Sequence, residues 1–237
     1  MIVSRQNEKV KELFKLLQKK HRDKTGMFLV FGEHGILEAE KTNNIVEIYT
    51  VNNSKKGVLI DKKIIKELAP LSSPTERVAI VKKPSVKPYS DKVLIIDGIQ
   101  DPGNLGTLIR SAVGFGFSSI IASEDTVDFY NDKVVSAAQG NLFYANLIRK
   151  DLVEEIKELK KKGYKIIGTD VDKGKKIKSL NKNVKMGLIL GNEGVGIKEE
   201  IYKLADEFVK IETSIIESLN VSVAGSIIMY EVNSKND

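Results

Sequence analysis

Residues 93–116 read VLIIDGIQDPGNLGTLIRSAVGFG. An unbroken apolar run over 93–96 stops at Asp97, the pattern of a strand buried on both faces. The turn formers Asp97-Gly98 and Asp101-Pro102-Gly103-Asn104 then make a tight loop. Beyond it Leu105, Leu108, Ile109, Ala112 and Val113 recur at helical spacing. This predicts a helix starting near Gly103 or Asn104. Strand, loop and helix N-terminus in succession are the junction at which α/β folds gather their ligands. Arg110 is the oddity. It sits about two turns in among apolar residues, where a cation is costly unless it meets an anion or a carboxylate.

The same alternation continues outward. Downstream, strands are expected over 119–122, 165–169, 186–190 and 207–211. Helices are expected over 131–138, 151–162, 198–204 and 218–232, with Ser218 capping the last, and 172–183 reads as a lysine-rich loop. Strands alternating with helices imply a mostly parallel sheet covered on both faces. Upstream, an amphipathic helix over 6–20, strands at 28–31, 45–51 and 78–81, and helices opening near Gly32 and Asp61 make a smaller α/β unit. Between the two lies KKPSVKPYSD, residues 82–91, with two of the chain's five prolines. It reads as a stiff linker. The expected domains are 1–88 and 89–237.

Composition narrows the chemistry. The chain has 237 residues, no cysteine and two histidines, His21 and His34. Disulfides, thiolate metal sites and a cysteine nucleophile are excluded, and a histidine base is excluded from the second domain. No apolar run approaches the roughly 20 residues of a membrane span, and the N-terminus lacks a signal-peptide core. A cytoplasmic protein without metal or membrane partner is expected. The net charge of +6 is unevenly placed. Residues 1–90 hold 18 Lys and Arg against 10 Asp and Glu, whereas 91–237 hold 20 against 22. A basic module that grips a polyanion, joined to a near-neutral domain, is the expectation.

Two further stretches stand out. GNEGVG, residues 191–196, follows the 186–190 strand, and ESLNVSVA, residues 217–224, opens the final helix. Neither glycine-rich turn is a dinucleotide fingerprint or a phosphate loop. Glycines nevertheless let backbone N–H and C=O groups approach a ligand closely. Ser218, Asn220 and Ser222 place three hydrogen-bonding side chains in an apolar run.

In order and spacing, NLGTLIRSA, LILGNEGVG and ESLNVSVA resemble the three motifs of the SpoU/TrmH class of SPOUT RNA methyltransferases. The resemblance covers roughly residues 92–232. FLVFGEHGILEA, residues 28–39, resembles the small ribosomal protein L30e-like substrate-binding domain that many members carry. The resemblance implies a small N-terminal α/β domain followed by a Rossmann-like parallel sheet whose tail forms a deep trefoil knot. It implies a homodimer that transfers a methyl group from S-adenosylmethionine to a ribose 2′-hydroxyl, of ribosomal rather than transfer RNA. A non-catalytic RNA-binding ribosome assembly factor of the same fold is the alternative. A nucleotide-binding α/β enzyme with a merely solubilising N-terminus is a third reading.

Residue by residue, the resemblance implies catalytic roles for Asn104, Arg110, Glu193, Ser218 and Asn220. It implies cofactor contacts from Thr169, Leu190, Gly191, Asn192, Gly196, Ile211 and Leu219. In the family the arginine is held to assist removal of the hydroxyl proton. An arginine is fixed as a cation, so Arg110 is expected to orient a phosphate and lower the hydroxyl pKa. Asn104, Glu193 and Asn220 are expected to hold Arg110 and the ribose in place. One departure is visible. Many relatives open the third motif with Ile-Pro-Met, whereas residues 211–216 here read IETSII, and no proline follows Pro102.

Overall fold

The computed structural model describes residues 1–69, 75–216 and 218–234, so Glu217 of the third motif lies outside the described residues. In chain order the elements are α1 (Glu8–Leu16), α2 (Lys19–Thr25), β1 (Met27–Phe31), α3 (Glu33–Lys41), β2 (Ile45–Thr50), β3 (Val58–Leu59), α4 (Lys62–Leu68) and β4 (Arg77–Lys82). There follow β5 (Lys92–Ile96), α5 (Pro102–Gly114), β6 (Ser119–Ala122), α6 (Asp132–Ala138), β7 (Asn146–Arg149), α7 (Leu152–Lys161), β8 (Lys165–Thr169) and β9 (Lys175–Lys176). The last are β10 (Met186–Leu190), α8 (Glu199–Tyr202), β11 (Glu207–Lys210) and α9 (Val221–Asn233). The chain divides into two units, Met1–Ser85 with Asp128–Phe143, and Val86–Val127 with Tyr144–Asp237.

Besides the unanticipated two-residue strand β3, the first unit differs from the sequence reading in two ways. The helix expected over 6–20 is two helices. Arg22, which is 5% exposed, stands at the break. Its guanidinium donates to the Leu16 and Leu17 carbonyls, at 3.0 and 2.7 Å, and so caps the end of α1. The second difference is membership. Residues 128–143, read as part of the second domain, group with the first unit. Tyr130 and Phe143 place their rings 4.7 and 6.1 Å from that of Phe28, and Asp128 pairs with Arg22 at 2.6 Å. Helical periodicity says that α6 has an apolar face but not which sheet that face covers. The sheet runs β1-β4-β2-β3, antiparallel except for the β2–β3 pair. Val10, Leu13 and Leu16 of α1 pack against Leu29, Tyr49 and Ile65 in its core.

The second unit is a seven-stranded sheet of order β7-β6-β5-β10-β8-β11-β9, parallel throughout. Short β7 and β9 were not anticipated, because the two residues of β9 are too few to show a period and β7, NLIR, has only one apolar pair between polar ends. The central strands β5 and β10 lie side by side, and 93–96 and 186–190 are buried throughout. Each buried Val, Leu, Ile or Met side chain in these runs contributes about 1.5–3 kcal/mol of transfer free energy. β5 leads on to β6 at one side of the sheet and β10 to β11 at the other. Their carboxyl ends therefore flank a crevice. Helix α5 starts at Pro102 rather than at Gly103 or Asn104, because Asp101 caps it and accepts the Asn104 N–H at 2.8 Å. Helix α9 starts at Val221. Its cap is Asn220, not Ser218. Gly225 lets α9 lie against Leu190 of β10 and Leu108 of α5, where a Cβ would collide with both side chains.

Candidate active site

The loop after β5, the turn after β10 and the start of α9 meet at the carboxyl edge of the sheet. The Asn220 side chain donates to Asn104 Oδ1 at 3.0 Å, and Asn104 Nδ2 donates to Glu193 Oε1 at 3.1 Å. Glu193 also accepts the backbone N–H groups of Gln100 and Asp101, each at 3.3 Å. Asn220 Oδ1 meanwhile accepts the Ser222 and Val223 N–H groups and the Ser222 hydroxyl. One directional chain of hydrogen bonds thus joins all three sequence stretches. Burial pushes the Glu193 carboxyl up. The Asn104 amide and the backbone N–H groups outweigh burial and hold the carboxyl below its ordinary value.

A second set of bonds lies behind the first. Asp97, at the end of β5, is 1% exposed. Its Oδ2 accepts the Lys198 backbone N–H at 2.8 Å. Its Oδ1 is 3.3 Å from the Lys198 ammonium but makes no well-formed hydrogen bond, so charge alone carries that contact. Lys198 bonds instead to Asp125 at 2.7 Å, which raises the lysine pKa and lowers that of the aspartate. Asn192 Nδ2 donates to the Gly98 carbonyl at 2.7 Å. Within the turn, Asn192 and Gly196 exchange backbone hydrogen bonds of 2.9 and 3.0 Å. A Cβ on Gly191 would overlap the Gly196 and Ile197 backbone. Gly196 has φ +74°, in the left-handed region that favours glycine.

In front of this scaffold lies a cavity of about 640 Å³. All seven expected cofactor residues, Thr169, Leu190, Gly191, Asn192, Gly196, Ile211 and Leu219, line it, as do Glu193, Ser218 and Asn220. Ser218 is exposed at its rim. Asn104 and Arg110 are not in the wall. Arg110 is exposed and has no hydrogen bond or ion pair among the described residues. The expectation that Asn104, Glu193 and Asn220 would hold it is therefore corrected. Asn104 is one and a half turns away on α5, and the three polar residues bind one another.

Asp97, Asp125, Lys198, Asp170 and Tyr202 were missed. Asp97 and Asp170 carried a signal, each being an acidic residue directly after an expected strand. Asp170 and Tyr202 both line the cavity, and the tyrosine hydroxyl donates to Asp170 at 2.6 Å. Among the described residues no cluster of three or more His, Asp or Glu could hold a metal ion.

The SpoU rRNA Methylase family model matches residues 91–230, and the MRM3-like substrate binding domain model matches residues 7–83. The chain is 33% identical over 243 residues to the 23S rRNA (guanosine(2553)-2′-O)-methyltransferase RlmP of Bacillus subtilis, covering 98% of each chain. It is also similar to an S-adenosylmethionine-bound rRNA methyltransferase from Sinorhizobium meliloti. The TM-score is 0.85 at 25% identity, over 98% of this chain and 96% of that one. A solved RNA 2′-O ribose methyltransferase shares the fold, with a TM-score of 0.83 at 24% identity over 98% of this chain and 97% of that one.

Proposed function

Because this chain belongs to the SpoU rRNA methylase family, we propose that it transfers the methyl group of S-adenosylmethionine to a ribose 2′-hydroxyl of 23S ribosomal RNA. The observation that carries this reading is the Asn220–Asn104–Glu193 chain standing at the edge of one cavity.

The cavity suits the cofactor. Its volume lies within the roughly 300–1,000 Å³ of small-molecule sites. Its wall combines apolar side chains (Leu190, Ile211, Leu219) with the backbone of Gly191 and Gly196. Thr169, Asn192 and Asp170 add polar groups. The bound cofactor supplies a methyl group already activated on a sulfonium.

The protein residues then have to orient the RNA and take charge off its hydroxyl. Arg110, exposed and permanently cationic, is suited to a phosphate beside the target ribose. A cation there lowers the hydroxyl pKa, and the proton leaves to phosphate or solvent. Glu193 is unsuited to take it, because its oxygens already accept from Asn104, Gln100 and Asp101. Glu193 and Asn220 instead fix Asn104 and the loop that carries it. Thr169 to Leu219 shape the cofactor pocket.

The same reading makes the protein a cytoplasmic homodimer with a knotted C-terminal tail. Val223, Ile227 and Tyr230 support the dimer. They are 46, 40 and 58% exposed and form an apolar stripe at helical spacing on α9. Replacing Ile227 with aspartate is expected to leave a monomer in sedimentation analysis.

The test is a 23S RNA transcript incubated with the protein and S-adenosylmethionine, followed by mapping of ribose methylation. One new 2′-O-methyl nucleotide is expected. RNA binding without methylation would sink the enzyme reading and favour the assembly factor.

A further inference from the structure

The basic excess of the first unit is concentrated at its start. Residues 1–24 hold eight Lys and Arg against three Asp and Glu. Helix α1 buries Val10, Leu13 and Leu16. Beside that apolar face runs a shallow groove of about 450 Å³, lined by Arg5, Gln6, Lys11, Phe14 and Lys15. Phe14 is half-buried, its inner side packed on the core. The Arg5 guanidinium lies 4.3 Å from the Phe14 ring centroid, and the Arg5 side chain remains 62% exposed. A guanidinium stacked on a ring has its position fixed and its outer face open, which makes it a platform for a nucleobase. Lys11 and Lys15 stand four residues apart on one helix face. Lys11 lies beside Glu8 and Lys15 in the last turn of α1, so both ammonium groups stand at the helix surface next to the groove. Their separation suits successive phosphates of a strand whose base lies on Arg5.

We propose that Arg5, Phe14, Lys11 and Lys15 form a single-stranded RNA site, with one base stacked on the Arg5–Phe14 platform and the flanking phosphates on the two lysines. The site deepens the reading of the chain as an RNA methyltransferase and rests on it. Two carboxylates compete for these cations. Glu67 is 3.3 Å from Arg5, and Glu8 is 2.7 Å from Lys11, at 48 and 81% exposure. Such exposed pairs are weak and salt-screened, and a phosphate displaces them at little cost. Gln6 adds an amide able to read a base edge.

The test uses the full chain and a 23S ribosomal RNA transcript, with binding measured between roughly 50 and 200 mM salt. The triple variant Arg5→Ala, Lys11→Gln, Lys15→Gln is expected to bind RNA about tenfold more weakly at the lower salt. Its salt slope should be shallower by about two to three contacts. Its S-adenosylmethionine affinity and melting temperature should match the parent protein, since all three positions lie at the surface. Arg5→Lys keeps the charge and loses the planar fork, so its affinity should fall with the slope unchanged. Parental affinity and slope in the triple variant overturn the site and leave the methyltransferase reading intact. A parent protein without salt-dependent RNA binding overturns both.

Discussion

At the scale of the residue, Arg110 and Glu193 separate cleanly. Both were legible as motif positions, but only the structure shows that one is committed and the other open. Arg110→Ala is expected to abolish methyl transfer while leaving S-adenosylmethionine affinity within a few fold. Turnover and calorimetry of the same preparation check this, and parental turnover would remove Arg110 from the chemistry. Glu193→Gln keeps the shape but turns one acceptor oxygen into a donor that faces the donors of Asn104, Gln100 or Asp101. Misplacing the loop by about 1 Å is expected to cost about 10²-fold in rate, readable in single-turnover assays, with RNA affinity preserved. The sign of the pH effect follows from the lowered carboxyl. Its contribution is complete above the ordinary value of 4.5 and is lost as pH falls through the depressed one. The rate should therefore show no Glu193 titration from pH 6 upward, and a rate change near neutrality that disappears in the Gln variant would contradict this.

At the scale of the element, the turn after β10 is the part with least freedom. It is closed on itself by the Asn192–Gly196 pair and tied backward by Asn192 to Gly98 and by Asp97 to Lys198. Gly191→Ala cannot be absorbed, because the backbone of Gly196 and Ile197 occupies the place of the methyl group. The variant is expected to lose S-adenosylmethionine binding in calorimetry while the sheet remains folded by circular dichroism. Tight binding would show that the turn can open. The glycines were legible as a turn from spacing alone. Their tie to Asp97 was not, because the two segments are about 100 residues apart and nothing local records the pairing. The α9 cap shows the same limit. Ser218 and Asn220 are both good caps by residue type, and the choice fell to Asn220, whose amide is also held by Asn104.

At the scale of the whole molecule, the main surprise is the borrowing of Asp128–Phe143 by the first unit. Asp128 is the counter-charge of buried Arg22. Asp128→Asn leaves a buried cation short of its partner, which is expected to cost about 3–5 kcal/mol of unfolding free energy, measured by denaturant titration. A loss well below about 1 kcal/mol would mean that the Leu16 and Leu17 carbonyls suffice for Arg22. A fragment of residues 1–88, which lacks that segment, should melt below the first unit of the intact chain. The sequence by itself determined the alternation of strands and helices, the parallel sheet, the basic start and the three stretches that form one site. Each of these is written in local periodicity, composition or turn chemistry. Only the tertiary structure decided that Glu193 is spent on holding Asn104, that Arg110 has no partner among the described residues, that Asn220 caps α9 and that α6 covers the smaller sheet. Those outcomes depend on which distant groups satisfy one another's charges and hydrogen bonds, and that pairing exists only once the chain is folded.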